Sequence, residues 1–354
     1  MLLNRYNPRC MKHYFLPAIL LLVLAGAATV GWLVYDVQVF MVQPLNLPAR
    51  TIFTVQKGMT LSDISMELAQ RGWLEKPYYL MFDGRRRKLA TSIKAGEYEL
   101  IPGMSPHAVL DLFVSGRVVQ YTLTIPEGWN FRQILQVVSN HPILRKTLHA
   151  SSQEQLMKVL GLEEPFLEGL FLPDTFHFPS GTTDVEFLHR SYRSMKSVLE
   201  EEWSKRDLGL PYENEYEALV MASIIEKETA TEEERGRIGG VFVRRLDQNM
   251  KLQTDPTVIY AMGDTYDGNL RQRDLTIDSP FNTYLYRGLP PTPIASPGRA
   301  SIRAALHPEP GESLYFVAMG DGRHYFSATL EEHNLAVDKY QKISNAGDTL
   351  PVQE

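Results

Sequence analysis

Residues Ala218 to Thr229 read Ala-Leu-Val-Met-Ala-Ser-Ile-Ile-Glu-Lys-Glu-Thr. This apolar helical run ends by setting a carboxylate, Glu226, against its own buried surface. Burying an ionised acid is costly, and such a group answers by raising its pKa and keeping its proton near neutrality. A glutamic acid that holds its proton in a cleft can serve as the general acid that cleaves a glycosidic bond. The same run also describes an ordinary core helix whose polar end begins at Glu226. Downstream, Thr231-Glu-Glu-Glu234 carries a capping-box signature and predicts a new helix to about Asp247. The first helix must therefore stop near Thr229. Glu226 then lies in its last turn, where the helix dipole disfavours a further negative charge.

The elements around that helix must build a cleft for it. Met250 to Ser301 reads as a long irregular stretch holding Leu-Gln-Thr-Asp-Pro-Thr (252–257), Phe-Asn-Thr-Tyr (281–284) and a proline-rich segment from Gly288 to Gly298. Loops of that length inside a domain are usually functional. The prolines suit a preformed wall better than a mobile lid. Asp255, just before Pro256, is expected to be structural, in a turn. Upstream, the aromatic-rich run Phe166 to Pro179 cannot form a long helix. It is either a buried plug or the aromatic wall of a groove, a surface on which sugar rings stack well.

Composition bounds the possibilities. The 354 residues suffice for about two domains, and 44% hydrophobic with 22% charged residues is globular. A net charge of −6 and the lack of a basic arm argue against nucleic acid as a partner; Arg85-Arg-Arg-Lys88 reads as a solvated surface turn. Cys10 is the only cysteine, and the histidines show no ligand spacing. No metal or other cofactor is expected.

Tyr14 to Val34 carries no charge and is long enough to cross a bilayer. Arg5, Arg9 and Lys12 precede it and Asp36 follows, so the positive-inside rule predicts a cytoplasmic N-terminus and an exported remainder. Trp32 and Tyr35 would mark the outer interface. Ala25-Gly-Ala27 resembles a signal-peptide cleavage site, but the apolar run continues past it, which favours an uncleaved anchor. The expectation is a single-pass protein of the inner (plasma) membrane with an extracytoplasmic ectodomain.

The predicted organisation is α+β: a cytoplasmic N-terminus (1–13), a transmembrane helix (14–35), a linker (36–50), a small α/β module (51–136), a mixed α+β catalytic domain (137–344) and a disordered tail (345–354). Within the module, Gly58-Met-Thr60 precedes Ile64, Gly103-Met-Ser105 precedes Val109, and Gly128-Trp-Asn130 precedes Ile134. Each glycine closes a turn after a short strand. Each Thr, Ser or Asn is a candidate helix N-cap. These strand–turn–helix units resemble LysM, a glycan-binding module. Beyond them, 137 to 210 reads mostly helical. Leu314–Met319 and His324–Ser327 form a hairpin, and Thr329-Leu-Glu-Glu332 caps a final helix to about Ile343.

Taken together, Ala222-Ser-Ile-Ile-Glu-Lys-Glu-Thr229, Leu252-Gln-Thr-Asp-Pro-Thr257, Tyr260-Ala-Met-Gly263, Phe281-Asn-Thr-Tyr284 and Gly288-Leu-Pro-Pro291 resemble the YceG/MltG family. Pro126-Glu-Gly128 and Leu167-Glu-Gly with Leu-Pro-Asp-Thr175 fit the same pattern. These are membrane-anchored endolytic lytic transglycosylases of peptidoglycan, and the resemblance runs from about residue 14 to 340. It implies that Glu226 is the catalytic acid. It also implies cleavage between N-acetylmuramic acid and N-acetylglucosamine without water, leaving 1,6-anhydromuramyl ends, a role in ending strand elongation, and contact with penicillin-binding synthases. A single acid suffices because the muramyl C6 hydroxyl is an internal nucleophile of high effective concentration, whereas hydrolases use two carboxylates. By analogy with other lytic transglycosylases, Gln253 and Asn282 would hold sugar amides or hydroxyls, and Tyr284 would orient the acid or stack on a ring. Alternatively, these three satisfy the loop's own backbone. Glu228, about 200° around the helix from Glu226, is the rival acid and is expected not to share its site. Two other readings stay open: a non-catalytic peptidoglycan-binding assembly factor, and a hydrolase pairing Glu226 with Asp255 or Asp174.

Overall fold

The computed structural model describes residues 12–149, 153–162, 166–229 and 231–346. Most of the expected cytoplasmic N-terminus, Cys10 included, lies outside the described residues. So does most of the expected disordered tail. The chain divides into two units, Met1–Tyr121 and Thr122–Glu354, so the third strand–turn–helix copy falls with the second unit and not with the first two.

In the first unit, helix α1 (Lys12–Val42) contains a stretch, Pro17–Val42, long and apolar enough to cross a membrane. The helix runs past the expected end at residue 35 and occupies half of the expected linker. Its lower turns are structural: Val37 and Met41 are buried in the unit's core with Leu45 and Leu47. Asp36 accepts hydrogen bonds from Lys76 Nζ at 2.9 Å and Tyr79 Oη at 2.6 Å.

Strands β1 (Thr51–Val55) and β2 (Gly96–Leu100) pair antiparallel, with Phe53 opposite Tyr98. Alternation sends Phe53 and Val55 inward while Ile52 faces solvent. Two helices, α2 (Leu61–Gln70) and α3 (Pro77–Arg86), lie between the strands, and α4 (Pro106–Ser115) follows β2. The expected caps form: Thr60 accepts from the Asp63 N–H and Ser105 from the Ala108 N–H. Ahead of them Gly58 and Gly103 both adopt φ +92°, a region that glycine enters without steric cost. The buried phenol of Tyr98 donates to Lys94 O at 2.7 Å, the partner that a buried tyrosine hydroxyl needs. Arg85 and Arg86 end helix α3, and Arg87 with Lys88 forms the expected surface turn. Arg86 and Arg87 ion-pair with Asp83, which is almost wholly buried.

The second unit opens with β3 (Gln120–Thr124) and α5 (Phe131–Asn140), where Asn130 and Gln133 make the capping box of the third copy. Helix α6 (Gln153–Leu160) and β4 (Thr175–Pro179) follow, and β4 pairs with β3. The aromatic run therefore contains a strand. Phe171, Phe176 and Phe178 are buried, and of the run's phenylalanines only Phe166 is exposed.

Helices α7 (Asp184–Ser204), α8 (Glu215–Glu228), α9 (Glu232–Asp247) and α11 (Arg299–Leu306) form the core of this unit, with α10 (Asp255–Met262) beside α8. Every residue of α8 from Ala218 to Ile225 is buried, the pattern of a helix packed on all sides. Two glycines of α9 permit that packing. A Cβ on Gly239 would lie 2.6 Å from Ala304 O, and one on Gly240 would lie 2.3 Å from Glu309 O. The proline-rich segment packs against α8 as a fixed wall: Ile294 N–H donates to Ser223 Oγ at 3.0 Å, and Ile294 to Ser296 are buried. Hairpin β5 (Tyr315–Ala318) and β6 (His324–Ser327) leads into α12 (Leu330–Ala346). Thr329 accepts the Glu332 N–H as expected, but the helix continues past residue 345.

Candidate active site

Helix α8 ends at Thr229, whose extended backbone (φ −143°) stops the ladder. Its last turn presents Glu226 and Glu228 in different directions, and the surroundings of the two carboxylates differ.

Glu226 is engaged from two sides. Its Oε2 accepts the Gly298 N–H at 2.9 Å, and its Oε1 lies 3.5 Å from Arg235 Nη2. Arg235, on α9, also lies 3.6 Å from Glu127 Oε2. Burial and the neighbouring negative charge of Glu226 push the Glu127 carboxyl above its usual range, and Arg235 opposes them. Glu226 thus ties the end of α8 to the loop entering α11 and to α9.

Glu228 points under the start of α10. Thr254 Oγ1 donates to its Oε1. Burial pushes the Glu228 carboxyl up to about 7. The Thr254 hydroxyl opposes that rise, the negative charge of Asp255 adds to it, and His324 and Arg245 oppose it. The side chain lines a cavity of about 520 Å³ together with Arg245, Gln253, Asp255, Tyr284 and His324. Glu228 therefore has the environment of a buried, proton-holding carboxyl in a cleft. Glu226 and Glu228 do face apart, as helical geometry requires. It is the second that faces the cavity.

The residues around Glu228 are fixed by their neighbours. Arg245 donates to Leu314 O at 2.6 Å and Leu252 O at 2.7 Å, and its Nη1 lies 3.4 Å from Gln253 Oε1. Burial lowers its pKa, and its charge stands close enough to favour ionised Glu228. Gln253 adopts φ +53°, a left-handed conformation uncommon for a residue with a side chain; its N–H donates to Thr283 O at 3.2 Å. Such strained positions cluster at functional sites. Tyr284 donates its hydroxyl to Asp255 Oδ1 at 2.6 Å, and burial raises its pKa. Asp255 is the first residue of α10, with Pro256 at the second position where its missing N–H costs nothing, so this is a helix start and not a turn.

Of the three predicted substrate contacts, Gln253 and Tyr284 come together around Glu228, not Glu226. Asn282 does not reach the cavity. It is fully buried, its Nδ2 donates to Leu275 O and Ile277 O at 3.0 and 2.8 Å, and its Oδ1 accepts the Tyr284 N–H at 2.9 Å. It shapes the loop that carries Tyr284. Asp174 accepts the N–H of its own neighbour, Thr175, at 2.6 Å. The capping box expected at Thr231 is absent: Glu234 instead binds His324, with Oε2 to Nδ1 at 2.7 Å.

One further carboxyl escaped the sequence reading. Glu168 accepts the Phe131 N–H at 2.9 Å and the Tyr260 hydroxyl at 3.1 Å. Burial pushes it up to about 7, against those hydrogen bonds. The signal was available, since Glu168 interrupts the apolar run of 166–172 as Glu226 ends that of α8.

The sequence matches the model of the YceG-like family over residues 53–339. It is 31% identical over 329 residues to a protein of Bacillus subtilis (strain 168) named endolytic murein transglycosylase, covering 86% of this chain and 89% of that one. A Streptococcus pneumoniae (strain D39) protein of the same name is 26% identical over 93% of this chain and 65% of its own length. The crystal structure of a yceG-like protein from Listeria monocytogenes superposes with a TM-score of 0.52 at 32% identity, covering 82% of this chain and 99% of that one. By the extent of these matches, the chain belongs to the YceG-like family.

Proposed function

We propose that the chain is an endolytic lytic transglycosylase of murein and that Glu228, not Glu226, is its acid. One observation carries the assignment: Glu228 is a buried carboxyl, pushed up to about 7, in the wall of a cavity that it shares with Arg245, Gln253, Asp255 and Tyr284. Protonated Glu228 would donate to the glycosidic oxygen between N-acetylmuramic acid and N-acetylglucosamine as the C1–O bond breaks. The resulting carboxylate would take the proton of the muramyl C6 hydroxyl, whose oxygen closes on C1. One bond forms, one breaks, the proton is returned, and the new end is a 1,6-anhydro sugar. Arg245 favours the carboxylate in the interval, and Gln253 and Tyr284 offer an amide and a phenol to the sugar. The relatives' shared name supports the substrate.

A second reading rests on Asp255, which lines the same cavity as Glu228. A second carboxylate there could activate water and make the enzyme a hydrolase. Its bond to the Tyr284 hydroxyl weighs against that use. For localisation, the apolar helix and the basic residues ahead of it support a single-pass anchor with the second unit outside the cytoplasm. That placement would bring the enzyme to new strands beside penicillin-binding synthases. The LysM-like units would serve there as glycan contacts.

Mass spectrometry of uncrosslinked glycan strands digested by the full-length protein in detergent tests the assignment. Wild type and Glu226→Gln should yield internal fragments with anhydromuramyl ends, and Glu228→Gln should yield none. Wild-type activity in Glu228→Gln would sink the assignment. Reducing ends in place of anhydro ends would establish the hydrolase.

A further inference from the structure

Two more cavities of the second unit have no part in the chemistry above. One, of about 580 Å³, is lined by Gln136, Lys227, Pro256 and Ile259; the other, of about 530 Å³, by Phe131, Leu135 and Phe281. Both are also lined by Arg132, Glu168 and Tyr260, so they are two lobes of one trough. At one end the trough reaches Lys227 and Pro256, the chain neighbours of Glu228 and Asp255 in the acid's cavity. Trough and cavity are thus lined from the same turns of α8 and α10, by side chains about 100° apart on each helix. From Asp255 to Tyr260, α10 advances about 7.5 Å, longer than one sugar ring.

The lining has a definite chemistry. Phe131, Tyr260 and Phe281 are partly exposed rings. Phe131 rests one face on buried Phe171 at 5.0 Å, and Tyr260 meets Phe281 at 4.9 Å. Flat rings held by a firm backing suit the C–H faces of a pyranose. Between them stands the Glu168 carboxyl, held at both oxygens by the Phe131 N–H and the Tyr260 hydroxyl. A carboxyl oxygen has lone pairs beyond those two bonds, and sugar hydroxyls are donors of matching kind. Arg132, at the junction of the lobes, is paired with Asp264, and Lys227 donates to Gly128 O at 3.3 Å.

We infer that the trough centred on Phe131, Glu168 and Tyr260 is a distal subsite for the uncharged hexosamine rings of a glycan strand, engaged more than one sugar away from the bond that is cut. The inference rests on the murein reading of the cavity next to it. It gives an endolytic enzyme a way to prefer the interior of a long strand, because only a long strand fills cavity and trough together.

The test is steady-state cleavage by the full-length protein in detergent, using long strands and the shortest strand that is still cut. Phe131→Ala and Glu168→Gln should raise the KM ratio of long to shortest strand, about tenfold for Phe131→Ala, as expected for truncating one anchoring contact. The kcat for long strands should change little, and Phe131→Tyr, which keeps the ring, should restore the ratio. Phe131→Leu keeps packing on Phe171 without a flat ring and gives the same answer where the alanine variant is unstable. An unaltered KM ratio, or equal losses at every length, overturns the subsite. A separate measurement keeps the two readings apart. Protein made inactive by Glu228→Gln should bind long strands in co-sedimentation and lose them when Phe131→Ala is added. Cleavage that survives Glu228→Gln would sink the acid's assignment while leaving the length effect readable.

Discussion

Glu226 and Glu228 stand two residues apart on one helix, yet the fold treats them oppositely. Glu226 receives a main-chain N–H from Gly298 and faces a guanidinium. Glu228 receives one hydroxyl, sits beside a second acid, and is pushed up to about 7 by burial. The apolar run of α8 cannot distinguish them, because it lies N-terminal to both. The difference comes from what arrives from elsewhere in the chain: the proline-rich wall and α9 at Glu226, the start of α10 at Glu228. The chemical role of a helix-end acid is set by its long-range neighbours more than by its own helix.

The sharpest way to break this comparison is to neutralise each acid in turn. Glu228→Gln should lower kcat by about 10³-fold, the scale of a lost general acid, with the thermal midpoint retained. Glu226→Gln should cost activity far less while lowering stability by about 1–3 kcal/mol, since Gly298 and Arg235 lose a charged partner. The reverse order in a paired kcat and thermal-melt experiment would show that the roles are exchanged.

Proton linkage separates the two next. Glu228 has a raised carboxyl pKa in the folded state, so its contribution to stability is complete below its ordinary range near 4.5 and is lost as pH rises through about 7. Denaturant unfolding at pH 5 and pH 8 should show wild type losing roughly 3 kcal/mol more than Glu228→Gln over that window, an upper figure from the size of the shift. Glu168 should produce a loss of the same sign. Catalysis should follow the same proton: kcat falls as pH rises beyond about 7. A rate that stays level to pH 9 would show that Glu228 does not donate.

Smaller effects concern the supports. Tyr284→Phe removes the hydroxyl bonded to Asp255 and should lower kcat/KM by about tenfold, with wild-type product ends. Gln253→Gly relieves the positive φ but loosens the unfolded chain. Its stability should stay within about 1 kcal/mol of wild type, while KM rises through loss of the amide. A gain in both stability and affinity would show that the left-handed conformation serves no binding purpose.

Much of the local structure was legible because it is written in adjacent residues. The Gly-x-Thr, Gly-x-Ser and Gly-x-Asn turns each gave a capped helix, and Thr329 with Glu332 gave the start of α12. What failed was set at a distance. Thr231 resembles a cap, but Glu234 is drawn to His324, 90 residues away. Asn282 resembles a substrate contact, but two carbonyls earlier in its own loop take its amide. Helix α10 hid inside an apparent loop because its first residues, Asp-Pro, read equally well as a turn. The family was legible because it depends on motif order, which survives such errors, whereas assigning the acid needed the third dimension.

The continuity of α1 into the core of the first unit has a mechanical consequence. Met41 and Val37 are packed there, so no swivel separates the apolar span from the domain it carries. Set in a bilayer, that domain would stand like a mast stepped into a deck, at a fixed height and a fixed compass bearing. Inserting one residue before Asp36 would turn it by about 100° and raise it by about 1.5 Å, and seven would restore the bearing almost fully while lifting it by about 10 Å.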